Sequence, residues 1–453
     1  VTPKPPRILF LGLDAADPEL ALRWAEQGEL PALRALRERA VWGRTENPEG
    51  FYAGSVWPSF ATASTPARHG QYCWKQFDAE SYLDLDPPYD DGDASPWWLA
   101  LDRAGREVAV VDLPRTIFRP DFGGLQVHDW GTHHALAPGF RTSPPELAAE
   151  LLERFGSDPV GTCSRLPLGE PHHYRELVAR LRRRIAVKRD IARELLGRWS
   201  WDVFALGFGE AHCVGHQCWH VHDERHLQHD PALRAEIGDP LLDVYRALDA
   251  ALGELLAVAG PETLTLVLLS HGMGPRHDGD RLLDEALARI ERRLRHGRRL
   301  SLRERLARRV RRWPERAFRK SFRIPTDEAV AGIRINLLGR EPRGRIRPGE
   351  EYDAYCDALA RELMELRNPD TGGPAFERVE RCDALYDGPR LDRLPDLLAE
   401  WTRDHRPDGL FLAAGAGLTP SRVERAVSVM DFGPTIAARL GVELPEVDGR
   451  PIR

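Results

Sequence analysis

Residues 201–220 read WDVFALGFGEAHCVGHQCWH. The apolar run 201–206 has the length and content of a buried strand, and the residues after it set His212 and His216 one helical turn apart, where two imidazoles can share one metal ion. The pattern recurs. The run 264–269, LTLVLL, ends in Ser270-His271-Gly272, and the run 7–12, RILFLG, leads through Leu13 to Asp14. Three strand-like segments therefore each finish on a potential metal ligand.

On either side of these runs, a helix is expected over 18–39, a loop over 46–50 and a helix start near Ser55. Further strands are expected at 108–111 and 410–412, and helices at 145–155, 173–199, 241–258 and 431–440. Strands alternating with long amphipathic helices predict an α/β fold, a mostly parallel central sheet with helices on both faces. In such sheets ligands collect at the carboxyl ends of strands, which is where Asp14, Glu210, His212 and His271 fall. The pattern changes over 284–320, an arginine-dense helical stretch interleaved with Leu302, Leu306 and Val310. A solvated helix face accounts for it, and a basic lid over an anionic substrate or a contact with an acidic partner are the alternatives.

A chain of 453 residues with 42% hydrophobic content and net charge −6 is globular, and its charge gives no reason to expect a nucleic-acid polymer or a membrane as partner. Six scattered cysteines form no CxxC pair and read as reduced thiols; Cys213 and Cys218 read as packing residues. No run approaches the ~18 apolar residues of a membrane span, and a cytoplasmic location is expected. His220, His222, His226 and His229 read as mostly solvated.

Six motifs in order, GLDAAD (12–17), SVWPSFATAS with PARHG (55–70), HCVGH (212–216), SHGMGP (270–275), HRPDG (405–409) and VMDFGPTIAARLG (429–441), resemble the type I phosphodiesterase/nucleotide pyrophosphatase family of the alkaline phosphatase superfamily. The resemblance implies an alkaline phosphatase-like core over 1–275 and 381–453, with 276–380 as an inserted cap that selects substrate. It also implies a two-metal hydrolase, usually with zinc, in which a Ser or Thr at a helix N-terminus attacks phosphorus. An unassisted hydroxyl is a poor nucleophile at neutral pH, and a metal ion lowers its pKa while the helix N-terminus favours the incoming phosphate.

Carried over by position, the resemblance makes Asp14 a carboxylate ligand and Ser55 the nucleophile, with Ser59 in reserve. The family more often has the nucleophile two places before the proline, where this chain has Val56. His216 matches the family histidine, His212 stands where an aspartate is usual, and His405 completes the first ion's set. At the second ion the family's aspartate before His271 is replaced by Ser270, leaving Asp14, Ser55 and His271. Either that site is weak, or Glu210, Ser270, His277 or Asp278 compensates, or the protein works with one tightly held metal. Trp74, Lys75 and His133 are the substrate-contact candidates, and Arg68 and His69 support the nucleophile's loop.

The expected function is metal-dependent hydrolysis of a phosphodiester, pyrophosphate or related phosphoester bond in a small anionic molecule. The alternatives are phosphoryl transfer, hydrolysis of a sulfate or phosphonate ester, and a non-catalytic ligand-binding relative with an altered metal site.

Overall fold

The computed structural model describes residues 6–86, 95–132, 139–161, 169–274, 280–294, 299–309, 313–326, 329–369, 372–401, 408–415 and 417–452. Its strands, in chain order, are β1 (Ile8–Leu13), β2 (Val41–Glu46), β3 (Gln76–Asp78), β4 (Leu83–Leu85), β5 (Val108–Val111), β6 (Leu125–His128), β7 (Arg141–Ser143), β8 (Val203–Phe208), β9 (Leu264–Leu269), β10 (Ser321–Ile324), β11 (Val330–Ile335), β12 (Phe376–Arg381), β13 (Leu397–Trp401), β14 (Gly409–Ala414) and β15 (Ser421–Ser428). Nine form one sheet in the order β15-β2-β14-β9-β1-β8-β5-β6-β7. The centre is parallel, from β9 through β1, β8 and β5 to β6, whereas β14 and β7 run antiparallel.

The central strands are continuous apolar runs because both faces are covered. Along β1 the side chains alternate. Leu9, Leu11 and Leu13 pack under the helices Pro171–Arg198 and Pro240–Ala259, while Ile8 and Phe10 meet Trp57, Phe60 and Phe432 on the opposite face. The parallel register aligns Leu13 with Phe208 and with Leu269, so the three chains leave the sheet side by side and deliver Asp14, Glu210 and Ser270 to one edge.

Two expectations need revision. The helix expected over 18–39 is two helices, Pro18–Glu26 and Pro31–Glu38, because Gly28 adopts φ +85° and Pro31 begins the second. The boundary expected at 380 falls inside a second, four-stranded antiparallel sheet in the order β10-β11-β13-β12, whose β13 ends at Trp401. No helix among the described residues is long and apolar enough to cross a membrane.

Candidate metal centre

Asp14 leaves β1 buried, at 4% exposure, and both of its oxygens are engaged. Oδ1 accepts from the Trp57 indole N–H at 2.7 Å and from the Ser270 hydroxyl at 3.3 Å; Oδ2 lies 2.7 Å from His212 Nδ1. Ser270 is fixed in turn, accepting from the Ala15 amide at 3.0 Å. Trp57 reaches Asp14 because residue 12 is glycine: a Cβ there would sit 2.4 Å from the indole ring. Burial pushes the Asp14 carboxyl up, but the charge and hydrogen bond of His212, the charge of His271 and the Trp57 N–H outweigh it. The carboxyl is held well below the usual carboxylate range.

His212 and His216 lie on the helix Glu210–His222 with ring centroids 4.6 Å apart and their Nε2 atoms 2.7 Å apart. Nδ1–H is donated to Asp14, so loss of the other ring proton leaves His212 with a lone pair at Nε2. At that distance one ring carries the proton of an N–H···N hydrogen bond, and a cation bound by both rings would replace that proton. This is the carboxylate–histidine arrangement that fixes tautomer and ring orientation at metal sites. His271 stands beside the pair, its ring centroid 6.2 Å from that of His212, with Nδ1 2.9 Å from the Gly272 carbonyl and Nε2 3.8 Å from Asp14 Oδ1. Close approach of the two segments depends on Gly215, where a Cβ would meet Met273 at 2.9 Å.

The histidine pair offers two nitrogen donors for one divalent ion. His405, expected to complete it, lies outside the described residues, as do His133, His277 and Asp278. Among the described residues no group of three or more His, Cys, Asp or Glu side chains is arranged to hold a metal. Of the set expected for a second ion, Asp14 bonds Trp57, Ser270 and His212, and the Ser55 hydroxyl bonds the Gln71 carbonyl.

Ser55 is the N-cap of the helix Val56–Thr62, as expected, but makes no side-chain capping bond and is fully buried. Its hydroxyl donates to the Gln71 carbonyl at 2.9 Å and lies 3.2 Å from Ser59 Oγ, which in turn is 2.9 Å from His69 Nε2. His69 Nδ1 accepts from the Gln71 amide at 3.0 Å, so in the neutral ring the proton is on Nε2 and is donated to Ser59. Burial pushes His69 down to about 3, which keeps it neutral. These groups form a closed polar network under the loop; Arg68 anchors its outside against Asp448 at 3.3 Å.

Glu210, a candidate ligand by position, faces away from the imidazoles. It is fully buried on the other side of its helix, 3.5 Å from Lys188 Nζ and 4.0 Å from Arg184 Nε. Lys188 also pairs with Asp112 at 2.9 Å, and Arg184 with Asp158 at 2.5 Å. Burial pushes the Glu210 carboxyl up, only partly offset by the two cations, and its direction away from the imidazoles keeps it from replacing the ligand lost at residue 212. Cys213 and Cys218 are buried in the core, as packing predicts. His222 is not simply solvated: its Nδ1 lies 2.7 Å from Asp239, while His220 Nε2 is 3.1 Å from the Tyr174 hydroxyl. Trp74 is 48% exposed with the Lys75 ammonium 5.6 Å from its ring centre.

Sequence reasoning missed Trp57 and the Lys188–Arg184 pair. Both had signals: a glycine inside an otherwise bulky strand, and two cations on the apolar stripe Leu181, Ile185, Ala192, Leu195 of a long helix.

Comparison with known proteins identifies the fold and the family. Among solved structures the chain is similar to phosphonoacetate hydrolase from Sinorhizobium meliloti 1021 in complex with phosphonoformate, at 17% identity over 96% of each chain and TM-score 0.56. It is also similar to the alkaline phosphatase PafA, at 12% identity over 100% of this chain and 99% of the other and TM-score 0.60. A third is murine ectonucleotide pyrophosphatase/phosphodiesterase 5 in complex with AMP, at 13% identity over 98% and 97% and TM-score 0.53. At such identities the likeness establishes the fold. No curated protein matches the chain. The family model described as type I phosphodiesterase/nucleotide pyrophosphatase matches residues 8–406, and the chain belongs to that family of phosphoester hydrolases.

Proposed function

We propose that this protein hydrolyses a phosphodiester or pyrophosphate bond in a small anionic molecule, using one firmly held divalent ion on His212, His216 and His405. The observation that carries this reading is the pair of Nε2 atoms 2.7 Å apart, with His212 oriented by a buried, ionised Asp14. Zinc suits a nitrogen donor set, and such an ion supplies Lewis-acid polarisation of a phosphoryl oxygen and acidification of an attacking hydroxyl. The relatives' complexes with AMP and phosphonoformate support a small anionic phosphorus compound as substrate.

Within this reading Asp14 holds His212 in the ligating tautomer, and Trp57 and Ser270 hold Asp14. Trp74 and Lys75, on the segment after Gln71, are the proposed contacts to the leaving group. Ser55 is the proposed nucleophile, with Ser59 in reserve; to act, Ser55 must release the Gln71 carbonyl by rotating about χ1. That hydrogen bond favours a second route, in which water attacks phosphorus directly and no phosphoserine forms.

Turnover of bis-nitrophenyl phosphate by the metal-loaded protein and by Ser55→Ala, with mass spectrometry of quenched reactions, separates these readings. Loss of turnover at unchanged metal content, with phosphorylated Ser55 trapped in the unaltered protein, supports the serine route. Full activity in Ser55→Ala leaves Ser59 or the water route, which the presence or absence of trapped phosphorylated Ser59 separates. No turnover of phosphomonoesters, phosphodiesters or pyrophosphates by metal-loaded protein contradicts the hydrolase reading.

A further inference from the structure

The segment that follows β9 carries His271 and is pinned on both sides of it. At Ser270 the amide donates to the Leu13 carbonyl at 3.0 Å, the hydroxyl accepts from the Ala15 amide at 3.0 Å, and the carbonyl accepts from Asn47 Nδ2 at 2.8 Å. Further on, the Met273 amide donates to Asp17 Oδ2 at 3.2 Å. His271 therefore lies in a short span between two fixed points.

Asp17 is buried and does more than cap a helix. Its Oδ1 accepts from the Leu20 amide at 2.8 Å, the ordinary N-cap bond of the helix Pro18–Glu26. One oxygen suffices for a cap, and a serine supplies it; the second oxygen of Asp17 is the one that reaches Met273. The backbone is held as well, the Asp17 amide donating to the Tyr245 hydroxyl at 2.6 Å from the helix Pro240–Ala259. Between Asp14 and Asp17 the turn passes through Ala15 at φ +50°, a left-handed conformation that alanine disfavours. Such a turn persists where its surroundings over-determine it, and here the segment after β9 bonds to it at both Ala15 and Asp17.

Met273 carries the link onward. It is buried, and its side chain lies against Gly215, where a Cβ would come within 2.9 Å of Cε and 3.3 Å of Cγ. Gly215 stands between His212 and His216 on their helix. One residue thus takes its backbone position from the turn after β1 and presses its side chain on the helix that bears both imidazoles.

We propose that Asp17 is a positioning residue: acting through Met273, it sets where His271 and the pair His212 and His216 stand relative to one another. The consequence for metal binding rests on the reading under Proposed function, whereas the geometric claim does not.

The test uses the full chain, metal-free and zinc-loaded. Asp17→Ser keeps a cap acceptor and removes the oxygen that holds Met273. Hydrogen exchange read by mass spectrometry should speed about tenfold or more over 271–274 and stay unchanged in β8 and β9. The ring resonances of labelled His271, His212 and His216 should shift in the metal-free protein, and zinc affinity should fall about tenfold by isothermal titration. Met273→Ala, which keeps the amide bond and empties the contact at Gly215, should shift the His212 and His216 resonances, and Met273→Leu, which refills it, should restore them. Should Asp17→Ser fail to fold, Asp17→Asn carries the same test, since it offers one acceptor for two amides. Unchanged ring resonances, with any change confined to the first turn of the helix Pro18–Glu26, overturn the proposal, because Asp17 is then a helix cap only. A general loss of protection through β8 and β9 also overturns it, because the residue then supports the whole fold. If the unaltered protein takes up no zinc, the metal-centre reading fails, and the ring resonances and exchange over 271–274 still decide the geometric claim.

Discussion

The two faces of the helix Glu210–His222 carry titratable groups under opposite conditions. On one face His212 and His216 converge at the edge of the sheet, partly exposed, with a single carboxylate behind them. On the other, Glu210 and Cys213 sit among Lys188, Arg184, Asp112 and Asp158 in a sealed cluster. The first face carries the proposed metal centre. The second neutralises itself, and its cost of desolvation is offset only while the partners are all present. Proximity in sequence, two residues from Glu210 to His212, therefore says little about function; the helical period decides.

The comparison is broken most severely at Lys188. Lys188→Met leaves Asp112 and Glu210 buried without their nearest cation and should destabilise the fold by about 3–5 kcal/mol, read from denaturant unfolding. Metal content per folded molecule should be unchanged, because the cluster does not touch the imidazoles. An effect confined to metal content would merge the two faces into one site.

Asp14→Asn probes the other face. The amide can keep the Trp57 bond but no longer favours the His212 tautomer that presents Nε2, so metal affinity should fall by about 10–100-fold with a much smaller loss of stability. Isothermal titration with zinc measures the first, and thermal unfolding of the apoprotein the second. If Asp14 were instead a direct ligand of a second tightly held ion, the asparagine variant would lose one of two metal equivalents.

The smallest expected effect concerns the polar network beside the site. Burial holds His69 near 3 in the fold, below its ordinary value of 6.5, so the unfolded chain takes up the proton first. Stability contributed by neutral His69 is complete above about 6.5 and is lost as pH falls toward about 3, with a slope on the order of 1 kcal/mol per pH unit. His69→Gln should flatten that part of the stability profile; an unchanged slope would place the titration elsewhere.

Legibility in the sequence depends on the physical origin of each signal. The core strands were legible, because burial on both faces forces continuous apolar runs such as 264–269 and 203–206. Most strands outside that core, among them β2, β6 and β10 to β13, were not: they are short or half-buried, and their pairing is long-range. Asp14, His212, His216 and Ser270 stand out by spacing and the family motifs, and they do meet. Their mutual roles were not legible, since Asp14 bound by Trp57 and His212 depends on an approach across Gly12 and on ring orientation. Glu210 misleads because position near a ligand does not give direction toward it.

The central claim is one metal centre on the histidine pair, and elemental analysis of the purified chain beside His216→Ala tests it most directly. The account predicts close to one equivalent of a divalent metal, zinc by its donor set, lost together with phosphodiester turnover in His216→Ala. Two chelator-resistant equivalents in the unaltered protein, or full turnover in a metal-free His216→Ala, would contradict it.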